Sequence, residues 1–194
     1  MSRPLKEGRI WAAAGAAALP AFVFPLYNPD LFWHLSAGRW MAAHRALPYA
    51  EFLSFSVPGQ RWLDFEWLSQ LLFFGAYSSG GFAGLWLVKA ALLWACWRVF
   101  DAALRLNELG VAARAGALVL WAVGALAWSD IRPELFSILL FSVCLWRLEA
   151  VRLERLEPGW GRAWEAAAVF ALWSNLHAGF PFGLALIVVY AMGE

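Results

Sequence analysis

The sequence predicts an all-α integral membrane protein with about five to six transmembrane helices and interfacial helices in a long first outer loop. Three observations predict it. Of the 194 residues, 62% are hydrophobic and only 15% charged, too apolar a balance for a soluble domain. The apolar residues fall in runs near the roughly 20 that a hydrocarbon core of about 30 Å requires. Charged residues gather between those runs. Residues 1–194 read as a single membrane domain. A formal net charge of +1 leaves no basic surplus, so nucleic acid is not expected as a partner. Cys96 and Cys144 both lie inside apolar runs, which excludes a disulfide framework or a zinc site.

The first span covers residues 10–27, after Arg3, Lys6 and Arg9. Its apolar stretch is longer than a signal-peptide core and holds Pro20 and Pro25, so it reads as a retained anchor. Residues 28–81 form the outer loop, and a loop of that length is usually functional. Asn28-Pro29 reads as an N-cap followed by proline at the first helical position, opening an interfacial helix from Asp30 to Arg45. Asp30 and His34, four apart, share one of its faces. Pro48 to Asp64 alternates around Pro58-Gly59, the pattern of a short extended excursion. Asp64 then caps a second helix, Phe65 to Ser78, which ends at Ser79-Gly80-Gly81 and at about 21 Å is short for a span.

Further spans follow at 82–104, 112–128 and 135–147. The last apolar block breaks at Ala178 to Pro181, because proline removes a backbone donor and disfavours helix just before itself. That gives spans at 163–178 and 181–194. The last is short, and the chain reads as truncated at its C-terminus. One face collects Arg3, Lys6, Arg9, Arg98, Arg105, Arg114, Arg147, Arg152, Arg155 and Arg162; the other has Arg39, Arg45, Arg61 and Arg132. The positive-inside rule places the N-terminus in the cytoplasm. His34, His44 and His177 then fall on the outer side, with Asp30, Asp64, Glu66, Asp130 and Glu134.

Each candidate residue has a plainer alternative. Asp30 in a helix's first turn complements the helix dipole as well as it suits catalysis. His34 fits a hydrogen-bonded interfacial residue or a working one. Arg132, in the turn Ile131-Arg-Pro-Glu134, can hold a lipid headgroup, pair with Asp130, or grip a phosphate through its planar fork. Asn175 and His177 sit at a helix break, where polar groups at membrane depth need a wet cavity or partners. Six of the 14 tryptophans, Trp11, Trp97, Trp128, Trp146, Trp160 and Trp164, lie near span ends, as an aromatic belt requires, whereas Trp33, Trp40, Trp62 and Trp67 stay open to ligand contact. A transporter would carry paired ionisable residues at mid-membrane, and only Lys89 sits clearly inside a span and away from its ends. Nucleotide-binding loops, nucleophile elbows and metalloprotease motifs are absent from the sequence.

Four segments together resemble a family. Asp30 to Trp40 (DLFWHLSAGRW), Glu66 to Gln70 (EWLSQ), Arg132 to Phe136 (RPELF) and Trp173 to Phe180 (WSNLHAGF) resemble bacterial multispanning proteins that look like relatives of the GT-C glycosyltransferases, the superfamily of protein O-mannosyltransferases and aminoarabinose transferases. The resemblance implies a bacterial inner-membrane protein that transfers a sugar from a polyprenyl-phosphate carrier to an acceptor outside the cytoplasmic membrane, usually with inversion. It implies Asp30 as the catalytic carboxylate, with Arg132 or His177 facing the donor phosphate; Trp33, His34, Glu66, Glu134 and Asn175 join them as substrate-binding candidates from the reading of the residues themselves. No cofactor is implied, and a divalent cation is left open. Expected partners are the lipid-linked sugar, membrane lipid, an acceptor, and a missing C-terminal portion or second subunit. The alternative is a non-catalytic polyprenyl-lipid-binding or envelope-assembly subunit. Many members have two adjacent acidic residues where this chain has Asp30-Leu31, and complete members have more spans.

Overall fold

The computed structural model describes residues 3–193 except Tyr27 and Pro158. It is all-α, with seven helices and no strand among the described residues: α1 (Arg3–Val23), α2 (Asp30–His44), α3 (Trp67–Leu106), α4 (Val111–Ala125), α5 (Glu134–Arg152), α6 (Trp160–Leu176) and α7 (Phe180–Gly193). A 3-10 turn, Leu126–Trp128, follows α4.

Several expected boundaries are corrected. The helix expected over Phe65 to Ser78 and the span expected over 82–104 are both present, as the two limbs of α3, which join without a loop at Gly81 (φ 58°, ψ −146°). That conformation is open to glycine and costly for other residues. The two limbs fold back on each other there, because a methyl group added at Gly84 would overlap the Ala76 carbonyl. The excursion at 48–64 contains no strand. It is an irregular loop closed by a single antiparallel bridge, Ala50 to Arg61, with Gly59 (φ 76°) at its turn. α4 ends its α-helical part at Ala125, short of the expected 128. The break expected at Ala178 to Pro181 lies at His177 to Gly179, and Pro181 sits in the first turn of α7, where its missing N–H costs no hydrogen bond.

Among the described residues, α3 is the one helix long and apolar enough to cross a membrane by length and composition. α4 and α7 are apolar but shorter. α1, α5 and α6 carry charges inside their bounds: Arg3, Lys6, Glu7 and Arg9; Glu134, Arg147, Glu149 and Arg152; Arg162 and Glu165. Helix length alone therefore does not carry five to six spans.

The core joins α2, both limbs of α3 and the turn before α5. Leu31, Leu35, Phe73, Leu85 and Ile131 are buried together, with Leu26, Ala76, Val88 and Phe136 packed on them. Each large side chain buried there contributes about 1.5–3 kcal/mol relative to exposure. Gly38 lets α2 lie directly on the Gln70 backbone of α3, where a side chain would overlap. α1 packs on α4 through buried small residues, Ala14, Ala18 and Ala21 facing the helix of Ala115, Leu118 and Ala122. Arg105 and Arg114 each grip the Asp101 carboxylate through two nitrogens at 2.6 and 2.9 Å. Arg114 also lies 5.1 Å over the Trp11 ring, so one buried aspartate ties α3 to α4 and the tie extends to α1.

The hairpin of α3 yields the first prediction. Gly81→Ala is strained by its backbone, at a cost of about 1–3 kcal/mol, and Gly84→Ala forces the limbs apart at about 1–3 kcal/mol. Gly80→Ala, with open space at its Cβ, is tolerated. Thermal unfolding of the detergent-purified variants checks the order; a Gly84→Ala protein as stable as Gly80→Ala would refute the hairpin contact.

Candidate functional site

Two chain reversals build the site. α1 stops ahead of Pro25, since a residue before proline is biased away from helix, and the Lys89 ammonium donates to the freed Phe24 carbonyl. The chain re-enters helix through Asn28, whose side-chain oxygen accepts the Asp30 N–H at 3.1 Å while its carbonyl accepts the Leu31 N–H at 3.2 Å. The capping role expected of Asn28 is thus made, with α2 beginning one residue past Pro29. The second reversal is the turn into α5. There Asp130, buried, accepts the Asn28 N–H at 2.6 Å and the Ile131 N–H at 2.7 Å.

These two reversals bring Asp30 and Arg132 together. Arg132 donates to the Asn28 side-chain oxygen at 3.1 Å and stands 3.9 Å from the Asp30 carboxylate. Asp30 remains more than half exposed (57%), so the pair opens to the surface.

Behind it lies a second cluster. The Glu66 carboxyl, at the start of α3, faces two imidazoles: His34 Nδ1 at 3.8 Å and His177 Nε2 at 3.6 Å. Both distances exceed the hydrogen-bonding range of about 2.7–3.2 Å. The tautomer of His177 follows from its other nitrogen. Gly179 N–H donates to Nδ1 at 3.1 Å, and the Ser137 hydroxyl lies 2.7 Å from it while accepting the Trp173 indole N–H at 2.6 Å. Nδ1 is an acceptor, so the proton sits on Nε2 and faces Glu66.

Burial pushes the Glu66 carboxyl up to about 7, and the neighbouring carboxylates of Glu134, Asp64 and Asp30 add to the rise. Burial pushes the His34 imidazole down to about 4, against the pull of Asp30. At neutral pH the His34–Glu66 contact therefore joins a neutral imidazole to a carboxyl protonated about half the time, not a full ion pair. Burial also raises Asp64, opposed by hydrogen bonds from the Glu66 N–H and the Gln70 amide, each at 3.0 Å. Asp64 thus meets the backbone just ahead of α3, which begins two residues later than expected.

The remaining candidates separate by role. Glu134 joins the site through its field on Glu66. Asn175 accepts the Trp67 indole N–H at 2.8 Å and donates to the Ala171 carbonyl at 2.7 Å, so it is engaged in tying α6 to α3. Trp33 lies against His34 at 4.0 Å and begins an aromatic row that continues through Trp62, Phe52 and Trp40 to His44. His44 is at the far end of that row, on the Trp40 carbonyl, away from the cluster. Sequence reasoning assigned no site role to Asn28, Asp130 or Ser137. Asn28 was legible as a cap, but nothing marks its oxygen as a seat for Arg132, and Ser137 is one of many serines in apolar helices.

Four buried polar atoms find no hydrogen-bond partner among the described residues: Asn28 Nδ2, His34 Nδ1, Asp64 Oδ2 and Gln70 Oε1. All belong to the segments that frame the site. Among the described residues no group of three or more His, Cys, Asp or Glu is arranged to hold a metal ion. Comparison with family models, with curated proteins and with solved structures found no match.

Opposite titrations give a second prediction. Glu66 has a folded pKa above the unfolded value, so its contribution to stability is full below about pH 4.5 and lost as pH rises through about 7. His34 has a folded pKa below the unfolded value, so its contribution is full above about pH 6.5 and lost as pH falls through about 4. The two slopes oppose each other in the wild type. In Glu66→Gln the midpoint of thermal unfolding should rise with pH over that window, and in His34→Gln it should fall. Parallel profiles for both variants would contradict the assignment.

Proposed function

We propose that this protein is a multispanning bacterial inner-membrane glycosyltransferase of the GT-C kind, moving a sugar from a polyprenyl-phosphate carrier to an acceptor hydroxyl on the outer side. The observation that carries the reading is the meeting of Asp30 and Arg132, a solvent-reaching carboxylate and a forked cation, with Glu66, His34 and His177 behind them. A lipid-linked sugar offers the complementary groups: an anionic phosphate, polar hydroxyls and an apolar tail.

The membrane reading draws support from the outer surface. Leu87, Trp94, Leu120, Val123, Val188 and Val189 are each more than half exposed. A soluble monomer keeps large apolar side chains like these from water where it can, whereas lipid covers them at no cost. Spans are then formed by α1, the second limb of α3, α4 with its 3-10 turn, α5, α6 and α7. Residues 82–106 alone reach about 37 Å at 1.5 Å per residue.

In the transfer, the acceptor oxygen bonds to the anomeric carbon and its proton passes to the Asp30 carboxylate. The bond from that carbon to the phosphate oxygen breaks, and its electron pair leaves on the phosphate. Arg132 has five N–H donors, of which one is held by Asn28, and the others can meet the developing phosphate charge. Inversion puts base and leaving group on opposite sides of the sugar. The entering sugar must therefore part Asp30 and Arg132 beyond their 3.9 Å separation. Trp33 and the partly exposed Glu66 are available to hydroxyls.

Asp30→Asn should lower turnover of a polyprenyl-phosphate sugar by about 10² to 10⁴ with binding retained, the usual cost of a lost general base. A transfer assay on the folded variant decides. Turnover equal to wild type would remove Asp30 from the mechanism and favour the non-catalytic lipid-binding reading. Topology has its own test. In a background lacking Cys96 and Cys144, cysteines at the exposed positions Gln60 and Glu154 should react with an impermeant thiol reagent from opposite sides. Labelling of both from one side rejects the arrangement.

A further inference from the structure

A cavity of about 140 Å³ lies between α5, α6 and α7, apart from the site described above. Its walls are apolar, formed by Val143, Cys144, Leu148, Val169, Phe170 and Ile187. A dry, apolar-lined space of about 150 Å³ is enough to hold a benzene-sized body, about six carbons. The lining is not uniform. Arg147 of α5 and Arg162 of α6 also line it, both partly exposed, and share the single carboxylate of Glu165 at 2.6 and 3.5 Å.

That rim carries two positive charges against one negative. The neighbouring arginines are already matched one to one: Arg152 holds Glu149 at 2.5 Å and Arg155 holds Glu108 at 3.2 Å. Glu154 and Glu157 lie in the connection between α5 and α6, off the cavity wall. α7 is drawn onto α5 by Tyr190, whose hydroxyl donates to Glu149 at 2.8 Å, so the third wall is fixed. An apolar slot with an excess guanidinium at its mouth is complementary to one kind of molecule, an amphiphile with an anionic head.

We propose that this cavity receives the first few carbons of one acyl chain of an anionic phospholipid, about six by its volume, with the lipid phosphate seated on Arg147 and Arg162. The site rests on the bilayer surrounding the helices and not on sugar transfer, so its failure would leave Asp30 and Arg132 untouched. Guanidinium forks match phosphate oxygens in pairs, and basic pockets between membrane helices on the cytoplasmic side are a recurrent anionic-lipid seat. Glu165, half exposed, can turn to water when phosphate takes its place.

The experiment is native mass spectrometry of the full chain in detergent with phosphatidylglycerol, phosphatidylcholine or sodium phosphate added. Wild type should retain phosphatidylglycerol over phosphatidylcholine by about tenfold, because both lipids offer the phosphate but the fixed positive charge of choline is repelled by the two guanidiniums and glycerol carries no such charge. Arg147→Gln with Arg162→Gln should abolish that preference while circular dichroism shows unchanged helix content. Val169→Phe, which fills the slot, should lower retention of both lipids; where it does not fold, the arginine variant decides. Equal retention of the two lipids by wild type, or a preference that survives loss of both arginines, overturns the proposal. Inorganic phosphate bound as tightly as phosphatidylglycerol would make this a free-anion site and also overturn it.

Discussion

The Asp130 carboxylate joins two reversals of the chain, and the candidate site exists because it does. One oxygen accepts the Asn28 N–H and the other the N–H of Ile131, so the link between α1 and α2 is fastened to the turn before α5. Lys89, fully buried, holds the Phe24 carbonyl four residues before Asn28 and lies within electrostatic reach of Asp130. A buried charge without a partner costs several kcal/mol, which makes the arrangement all-or-none. With Asp130 in place, Asn28 presents its oxygen to both the Asp30 N–H and Arg132. Without it, Arg132 loses its seat and Asp30 its orientation together.

Much of the helical plan was legible because it is written in short-range chemistry. Ser79-Gly80-Gly81 announces a break, and Gly81 makes it with a backbone conformation that needs glycine. Asn28-Pro29 announces a helix start, and Pro181 a helix boundary. The extended reading of 48–64 was met only at its base, where Ala50 pairs with Arg61 across the Gly59 turn; with no further strand beside it to complete a ladder, the rest of the segment is irregular. The two limbs of α3 were legible as separate helices; their direct abutment was not, because a single glycine reverses the chain between them without any loop. Asp101 was hidden too. Its carboxylate lies inside what reads as a span, and only the fold places Arg114, thirteen residues on, against it.

At the site, the residue types were legible and their pairings were not. His34 and His177 lie 143 positions apart, so no spacing rule predicts that both imidazoles face one carboxyl. Asn175 shows the converse: it has the right type at the right break, yet both ends of its amide are occupied within the protein. Ser137 matters because it fixes the tautomer of His177, and such a role has no sequence signature at all.

Two carboxyls compete for the part of proton acceptor on the transfer reading, and exposure separates them. Glu66 has the pKa nearer neutrality, which by itself suits acid–base work. A base must first touch the proton it takes, and affinity for that proton ranks second. Glu66 has about a fifth of its side chain exposed and is screened by His34 and His177, whereas Asp30 has more than half exposed and stands at the surface beside Arg132. An acceptor arriving from outside meets Asp30 first. Glu66 then acts as a positioning residue: shared between two neutral imidazoles, it takes or releases a proton as charge at the front of the site changes, and so limits the net negative charge that Asp30, Glu134 and an entering phosphate would otherwise build in a half-buried space. Its perturbed pKa is a consequence of sitting behind the reacting groups, and that same burial removes it from contact with them.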